Sequence, residues 1–509
     1  QRTSGELSRK EGGKIFGSGS RTPVAITVLV KKKGSKKDGF VRYYDIGDYL
    51  SRSDKLQKIS EFESIKNIPW KYLTPNQEND WLNQRNPNFM NFIALGDKKK
   101  REKISIYSDN YASGLSTNRD IWVYNFSEID VKKNSDRMIE NYNIERERCH
   151  KLFNKSVNKG IYISDPDVRK TFIQNIKSND ERKISWSRGL VNRLCKDEVI
   201  TTSNDIRQVL YRPFCKKKLY YNSSIIEMPS RWDKIFPKVD SGNIVICVSG
   251  APIKKGFSVL ITDCIQDLNL MEHSISMPLY MYDKVDDDYG NQPTIFDYMN
   301  EQVDITTRYK KRFAITDASL RNYQEVYGRK VDKESIFYYT YAVLQNREYI
   351  SRYEDNLSKE MPRIPMLDGF VKYVEIGKEL AELHINYEKP ISAEEIGVIV
   401  KMEKSEYKVS KMKFKKIGKT LFKDTILYND YITISNIPEQ AYEYVINGKS
   451  AIEWIMERYA VTVDKSSGIV DDPNTYKDSK YIFDLLLSVI GVSVKTQNLI
   501  DAMPEYKEI

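Results

Sequence analysis

The sequence predicts a mixed α/β fold, and three observations carry that prediction. Over Ser335–Glu388 the apolar residues Ile336, Tyr339, Val343, Ile350, Tyr353 and Leu357 recur three or four apart, which lines one face of a helix. Tyr373, Ile376, Leu380, Leu383 and Tyr387 then line a second helix, with Lys372, Glu375, Lys378, Glu379 and Glu382 on its opposite face. Between them Pro362 and Pro365 remove backbone donors and push their predecessors out of helical geometry, so Met361–Pro365 is an extended break and the whole is an elbow. Second, Asn243–Val248, Phe257–Thr262 and Pro278–Tyr282 are short apolar runs separated by polar loops, the pattern of a small mixed sheet. Third, Val24–Val30 and Val41–Ile46 flank a Lys- and Gly-rich turn and read as a hairpin. A chain of 509 residues is long for one core, so about two to four domains are expected.

In chain order, Gly12, Gly13, Gly17 and Gly19 make Glu11–Ser20 a flexible loop, without the GK[ST] or strand-GxGxxG-helix context of a phosphate cradle. Ser51–Asn67 reads as a helix, and Trp70–Arg85 as a loop and helix anchored by its tryptophans. The charge run Asp97–Lys103 reads as a solvated linker and sets a domain boundary at residue 100. Ile121–Phe126 alternates like a strand, preceded by a polar turn, Gly114–Asp120, with Thr117, Asn118 and Arg119 at its tip. Such a tip suits base or phosphate contacts and equally an internally bonded turn in which Arg119 pairs with Asp120 or a nearby carboxylate, so both readings stand. Met138–Lys196 is mainly helical.

Two clusters interleave aromatic and basic residues. Tyr211–Tyr221 carries Arg212, Lys216, Lys217 and Lys218, and Thr307–Phe313 carries Arg308, Lys310, Lys311 and Arg312. Either can track a phosphate backbone while its aromatics pack or stack, and either can be a solvated turn. Beyond Pro390, strands are expected near Lys411–Phe414 and Thr425–Ile434. Ser450 and Glu453 form a capping box opening a helix at Ala451–Tyr459, Asp471–Asn474 is a turn, and Tyr481–Ile490 is a docked apolar helix.

A net charge of +10 and a pI of 8.9 are compatible with a polyanionic partner. Cys149, Cys195, Cys215, Cys247 and Cys264 lack paired short spacings, which argues against zinc and disulfide frameworks and fits a reducing compartment. His150, His273 and His384 lie in separate segments without metal-ligand spacing, and His384, beside Leu380 and Leu383, reads as a satisfied core histidine. No GxSxG or Walker motif is present, so no complete active site is expected. No stretch reaches the ~18 consecutive apolar residues of a membrane span, so no membrane partner is expected and a cytoplasmic location is.

The run MPRIP followed by GKELAELHINYE resembles the C-terminal part of type ISP restriction-modification enzymes, as do the strings GLSTNRDIWVYN and YRPF. In that family one polypeptide carries a nuclease, a helicase-like translocase, an adenine-N6 DNA methyltransferase and a target-recognition domain. The resemblance implies that residues 1–100 end the Rossmann-like methyltransferase sheet and that 101–334 form a mixed α/β target-recognition domain. Residues 335–390 would form the elbow, and 391–509 the last α/β part of that domain. It further implies that the chain starts inside a longer polypeptide. Phe16 occupies the place of an aromatic residue that stacks on a flipped adenine, since an extruded base has lost its neighbours; the other reading has Phe16 packing beneath the loop. No cofactor is expected within these residues, S-adenosylmethionine, ATP and Mg belonging by resemblance to the rest of the polypeptide. The expected partners are duplex DNA and the nuclease, helicase and methyltransferase domains. The implied function is sequence-specific DNA recognition directing adenine-N6 methylation and ATP-dependent cleavage. A structural coupling module without base readout is the alternative, and an autonomous methyltransferase is disfavoured.

Overall fold

A computed structural model describes residues 24–31, 33–34, 39–153, 179–284, 309–418 and 420–509, together with 167, 170, 173–174 and 303–304. The chain folds as two compact units, Gln1–Asn86 and Pro87–Ile509.

In the first unit β1 (Val41–Tyr43) pairs antiparallel with β2 (Lys71–Leu73), and α1 (Arg52–Glu61) lies between them in sequence. Ser51 and Asp54 cap α1 reciprocally, and Asn67 Nδ2 donates to the Phe62 carbonyl at 2.9 Å, which ends the helix short of the predicted residue 67. The expected hairpin of Val24–Val30 with Val41–Ile46 does not form. Val24–Val30 carries no ladder, and Ile26, Leu29 and Val30 are more than four-fifths exposed. β1 takes Lys71–Leu73 as its antiparallel partner, and among the described residues Val24–Val30 has no strand beside it to complete a ladder.

The second unit holds the long helices and several small sheets. Its elements begin with β3 (Ile93–Ala94), β4 (Ala112–Ser113), α2 (Asp120–Val123), β5 (Tyr124–Asn125), α3 (Glu128–Phe153) and α4 (Arg188–Cys195). There follow β6 (Ile206–Arg212), β7 (Cys215–Tyr220), α5 (Trp232–Ile235), β8 (Val245–Val248), β9 (Val259–Thr262), β10 (Ile265–Gln266), β11 (Ile275–Pro278), β12 (Tyr280–Lys284), β13 (Val303–Asp304) and β14 (Tyr309–Phe313). One mixed sheet has the order β10-β6-β7-β5, an antiparallel sheet the order β4-β11-β8-β9, and a third the order β12-β14-β13. Alternation over Ile121–Phe126 misleads, because Trp122 through Phe126 are all buried and no solvent face exists to set a period. Ile121–Val123 belongs to the helical turn α2, with Trp122 N donating to the Arg119 carbonyl at 2.9 Å, and only Tyr124–Asn125 is strand.

The elbow forms with one correction. Its first arm is three helices, α6 (Asp317–Tyr327) preceding them: α7 (Lys333–Gln345), α8 (Arg347–Arg352) and α9 (Glu354–Leu357). Asn346 ends α7 and caps α8 by accepting from Tyr349 N at 3.0 Å, the local side-chain competition that breaks a helix whose apolar spacing is otherwise continuous. The extended break carries β15 (Arg363–Ile364), which pairs with β3. Buried tyrosines fasten it: Tyr339 Oη donates to the Pro365 carbonyl at 2.8 Å and Tyr349 Oη to that of Arg363 at 2.7 Å. The second arm is α10 (Phe370–Ile385), which approaches α7 so closely that a Cβ on Gly377 would lie 2.1 Å from the Tyr338 carbonyl oxygen.

The C-terminal sheet, β16 (Ile399–Met402), β17 (Lys413–Ile417), β18 (Thr420–Leu427) and β19 (Ile432–Ser435), has the order β16-β19-β18-β17. The single strand expected over Thr425–Ile434 is two, because Asn429 Oδ1 accepts from Tyr431 N and Ile432 N at 2.9 and 2.8 Å and turns the chain. The capping box opens α11 (Ala451–Arg458) as predicted. Helix α12 (Tyr481–Asp501) is long and apolar enough to cross a membrane by length and composition, but here it is a core helix, buried over most of that length.

Candidate nucleic-acid interface

The polar turn is built from close backbone approach. A Cβ on Gly114 would lie 2.5 Å from Leu268 Cα, so only glycine lets Leu115 exchange backbone hydrogen bonds with Gln266 and Leu268. Ser116 and Met228 bond each other's backbones at 3.1 and 2.9 Å, fixing the turn to the loop before α5. Asn118 takes a left-handed φ of 55°, which asparagine tolerates better than most residues, and its side chain is exposed.

Its neighbours point inward. Thr117 is buried and bonds Asp120. Arg119 is 3% exposed and donates to the Ile225 carbonyl and Ser187 Oγ, with Glu227 at 4.0 Å. Glu227 also accepts from Ser187 Oγ at 2.6 Å and from Gly189 N at 2.9 Å, at the start of α4. Burial lowers the Arg119 guanidinium to about 10. This arginine therefore ties the turn to α4 and to the loop after β7, as the internally bonded reading of the turn requires, with Glu227 rather than Asp120 as its carboxylate.

The Arg212–Lys218 cluster is mostly interior as well. Arg212 donates to Asp267 at 2.8 Å and lies 3.8 Å over the Tyr211 ring. Burial pushes the Asp267 carboxyl up to about 6 although Arg212 beside it favours the charged form. Lys216 reaches Glu388 at 3.0 Å and Asp263 at 3.4 Å, and Lys217 pairs with Asp471 between the rings of Phe126 and Tyr211. Lys218 is partly exposed and pairs with Glu128 at 3.2 Å.

The third cluster is open. Lys310 is exposed, Lys311 sits 3.8 Å over the Tyr280 ring, and Arg312 bonds Asp283 at 2.6 Å and Asn110 at 3.3 Å. Arg308 and Phe16 lie outside the described residues. Asn110 precedes the polar turn, and Arg231 donates to the neighbouring Asp109 carbonyl at 2.6 Å. The structure thus places Arg231 and Arg312 against the segment 108–119, which carries Asn118, with Lys310 two residues along β14 from Arg312, and leaves the Arg212–Lys218 cluster out of it. Arg231 escaped sequence reasoning because it stands alone in MPSRWD, without a basic neighbour to mark it.

Nothing here resembles a metal centre: among the described residues no group of three His, Cys, Asp or Glu side chains could hold one. His384 is satisfied in the core, bonded to Tyr341 Oη at 2.6 Å and Thr496 Oγ1 at 2.8 Å and stacked on Tyr444, and burial lowers its pKa to about 3.

The sequence model of the type ISP C-terminal specificity domain matches residues 107–485. The chain belongs to that family. Solved members of similar fold include a nuclease-deletion mutant of the type ISP restriction-modification enzyme LlaGI in complex with a DNA substrate mimic, 42% identical with a TM-score of 0.83, covering 100% of this chain and 43% of that one. The ATP-dependent type ISP enzyme LlaBIII bound to DNA is 36% identical with a TM-score of 0.78, covering 94% of this chain and 28% of that one. A DrdV–DNA complex is 25% identical with a TM-score of 0.74, covering 92% of this chain and 44% of that one. The specificity-domain chain thus spans less than half the length of each of these proteins. No curated protein matches it.

Proposed function

We propose that this chain selects the duplex DNA sequence at which a single-chain restriction-modification enzyme acts, directing adenine-N6 methylation and ATP-dependent cleavage by the rest of the polypeptide. The observation that carries this reading is the match of the whole chain, at 42% identity, to LlaGI solved with a DNA substrate mimic. Asn118, Arg231, Lys310, Lys311 and Arg312 supply contacts from the loop 108–119 rim, and Lys218 and Arg308 add positive charge. Thr117, Arg119, Arg212, Lys216 and Lys217 hold the frame that presents them, since a buried, ion-paired side chain reaches a phosphate only by abandoning its partner.

Residues 1–100 end the adenine-N6 methyltransferase domain, where Phe16 stacks on the extruded adenine. Residues 101–334, 335–390 and 391–509 are the recognition domain, its elbow and its last part. S-adenosylmethionine, ATP and Mg serve the nuclease, helicase and methyltransferase parts, in the cytoplasm. A coupling module without base readout is not favoured, because the matched family is a specificity domain.

Selection from a randomised duplex library by the purified chain tests the reading. One enriched sequence, bound more tightly than its scrambled version and more weakly as salt rises, is the expected outcome. Retention of duplexes without enrichment leaves only a non-specific binder and overturns it.

A further inference from the structure

The C-terminal sheet has one closed face and one open one. Across the ladder Phe414, Ile426, Ile434 and Val400 stand opposite one another, and Ile426 and Ile434 are fully buried. The alternate set, Lys413, Leu427, Thr433 and Lys401, therefore shares the other face, where Lys413, Leu427 and Lys401 are exposed. Beyond a bulge at Phe414/Lys415, β17 and β18 pair with each other alone, so their far end projects as a two-stranded ribbon. Lys415, Lys416, Ile417, Leu421 and Phe422 are all exposed on it.

Charge on this region is lopsided. From Lys401 to Asp424 nine lysines stand against Glu403, Glu406 and Asp424. Lys401 and Lys404 pair with Glu403 and Glu406, and Lys423 with Glu453. Lys408, Lys411, Lys413, Lys415 and Lys416 have no carboxylate at ion-pairing distance among the described residues. A concavity of about 660 Å³ runs along the open face, lined by Lys408, Lys411 and Lys413 together with Leu427, Tyr431 and Thr433, with Glu406 and Asp430 also on its wall. Solvated lysines cost little to leave unpaired, but three of them lining a concavity and two more on the adjoining ribbon beside exposed apolar side chains form a surface for a polyanion with apolar edges.

We propose that this open face and its projecting ribbon form a second DNA-contacting surface that grips the phosphate backbone of duplex DNA without reading its sequence. The inference rests on the DNA-recognition reading above and adds a surface carried by a separate sheet from the loop 108–119 rim. Lysine is a point charge suited to phosphate rather than to bidentate base readout, and exposed Ile417, Leu421 and Phe422 would lie against the sugars between phosphates. The rim then chooses the sequence while the ribbon adds affinity and register.

The test is the triple variant K411Q/K413Q/K415Q in the full chain, measured by fluorescence anisotropy on selected and scrambled duplexes over a salt series. All three side chains are exposed, so melting temperature should not move, and its constancy certifies the fold. The expected result is equal weakening on both duplexes, with the log–log salt slope reduced by about one unit per lysine. An unchanged slope overturns the proposal while leaving DNA recognition intact, and weakening confined to the selected duplex overturns the sequence-independent role. If the unmodified chain binds no duplex, the DNA-recognition reading and this one fall together. Mass-spectrometric acetylation of the unmodified chain gives a second readout: DNA should protect Lys413 and Lys415, and equal labelling with and without duplex refutes the contact.

Discussion

Two lysine-rich stretches, each with three lysines within five residues, have opposite fates. In β7 the run Lys216–Lys218 is strung through the middle of a sheet, and two of its ammonium groups are drawn inside by Glu388 and Asp471. In and just before β17, the exposed Lys411, Lys413 and Lys415 have no carboxylate at ion-pairing distance among the described residues. What differs is the number of covered faces: β7 lies between β6 and β5 with Tyr459, Tyr476 and Phe126 packed near it, whereas β17 is an edge strand. A charge run therefore states how much charge a segment carries, and the layers around it decide whether that charge meets solvent or a partner.

Substitution should separate the two stretches sharply. Lys217→Ala leaves Asp471 buried beside aromatic rings, and we expect a loss of about 3–5 kcal/mol of stability, read by chemical denaturation. Lys415→Gln should leave stability within about 0.5 kcal/mol of the parent. Comparable losses at both positions would erase the distinction.

Arg119→Ala comes next in size. It strips a donor from the Ile225 carbonyl and loosens Glu227, for an expected cost of about 1–3 kcal/mol, with thermal melting falling before any change in base preference. A loss of discrimination at unchanged melting temperature would return Arg119 to the DNA surface.

Acid should act on the core and leave the open sheet alone. His384 titrates near 6.5 when unfolded and near 3 when folded, so the unfolded chain takes up the proton first as pH falls. Its contribution to stability is complete above pH 6.5 and is lost progressively as pH drops toward 3. His384→Gln should flatten that part of the stability profile, and a slope identical to the parent's would mean that other groups dominate.

Asn118→Ala should cost at most about 1–2 kcal/mol, from placing alanine at a φ of 55°. On DNA it should alter preference at one position of the selected sequence, measured by repeating the library selection.

What could be read from the sequence was local. The capping box of Ser450 with Glu453, the extended break set by Pro362 and Pro365, and the apolar face of α10 depend on residues within a few positions of one another. What could not be read was long-range. Lys217 and Asp471 lie 254 residues apart, and nothing near either one announces the other. Asn346 interrupts an apolar periodicity that continues through it, because a cap competes at the backbone while periodicity reports only on faces. Half of the rim was visible as Lys310–Arg312 and Asn118. Arg231 became visible only when Asp109 was placed beside it.

The turn around Asn118 exposes one side chain from a segment whose flanking members are interior. Replacing that residue changes what the surface offers to a ligand while the packing below it stays as it was. The left-handed φ of 55° confines the low-cost replacements here to glycine, aspartate and similar residues, so what this position can display is limited by the backbone beneath it.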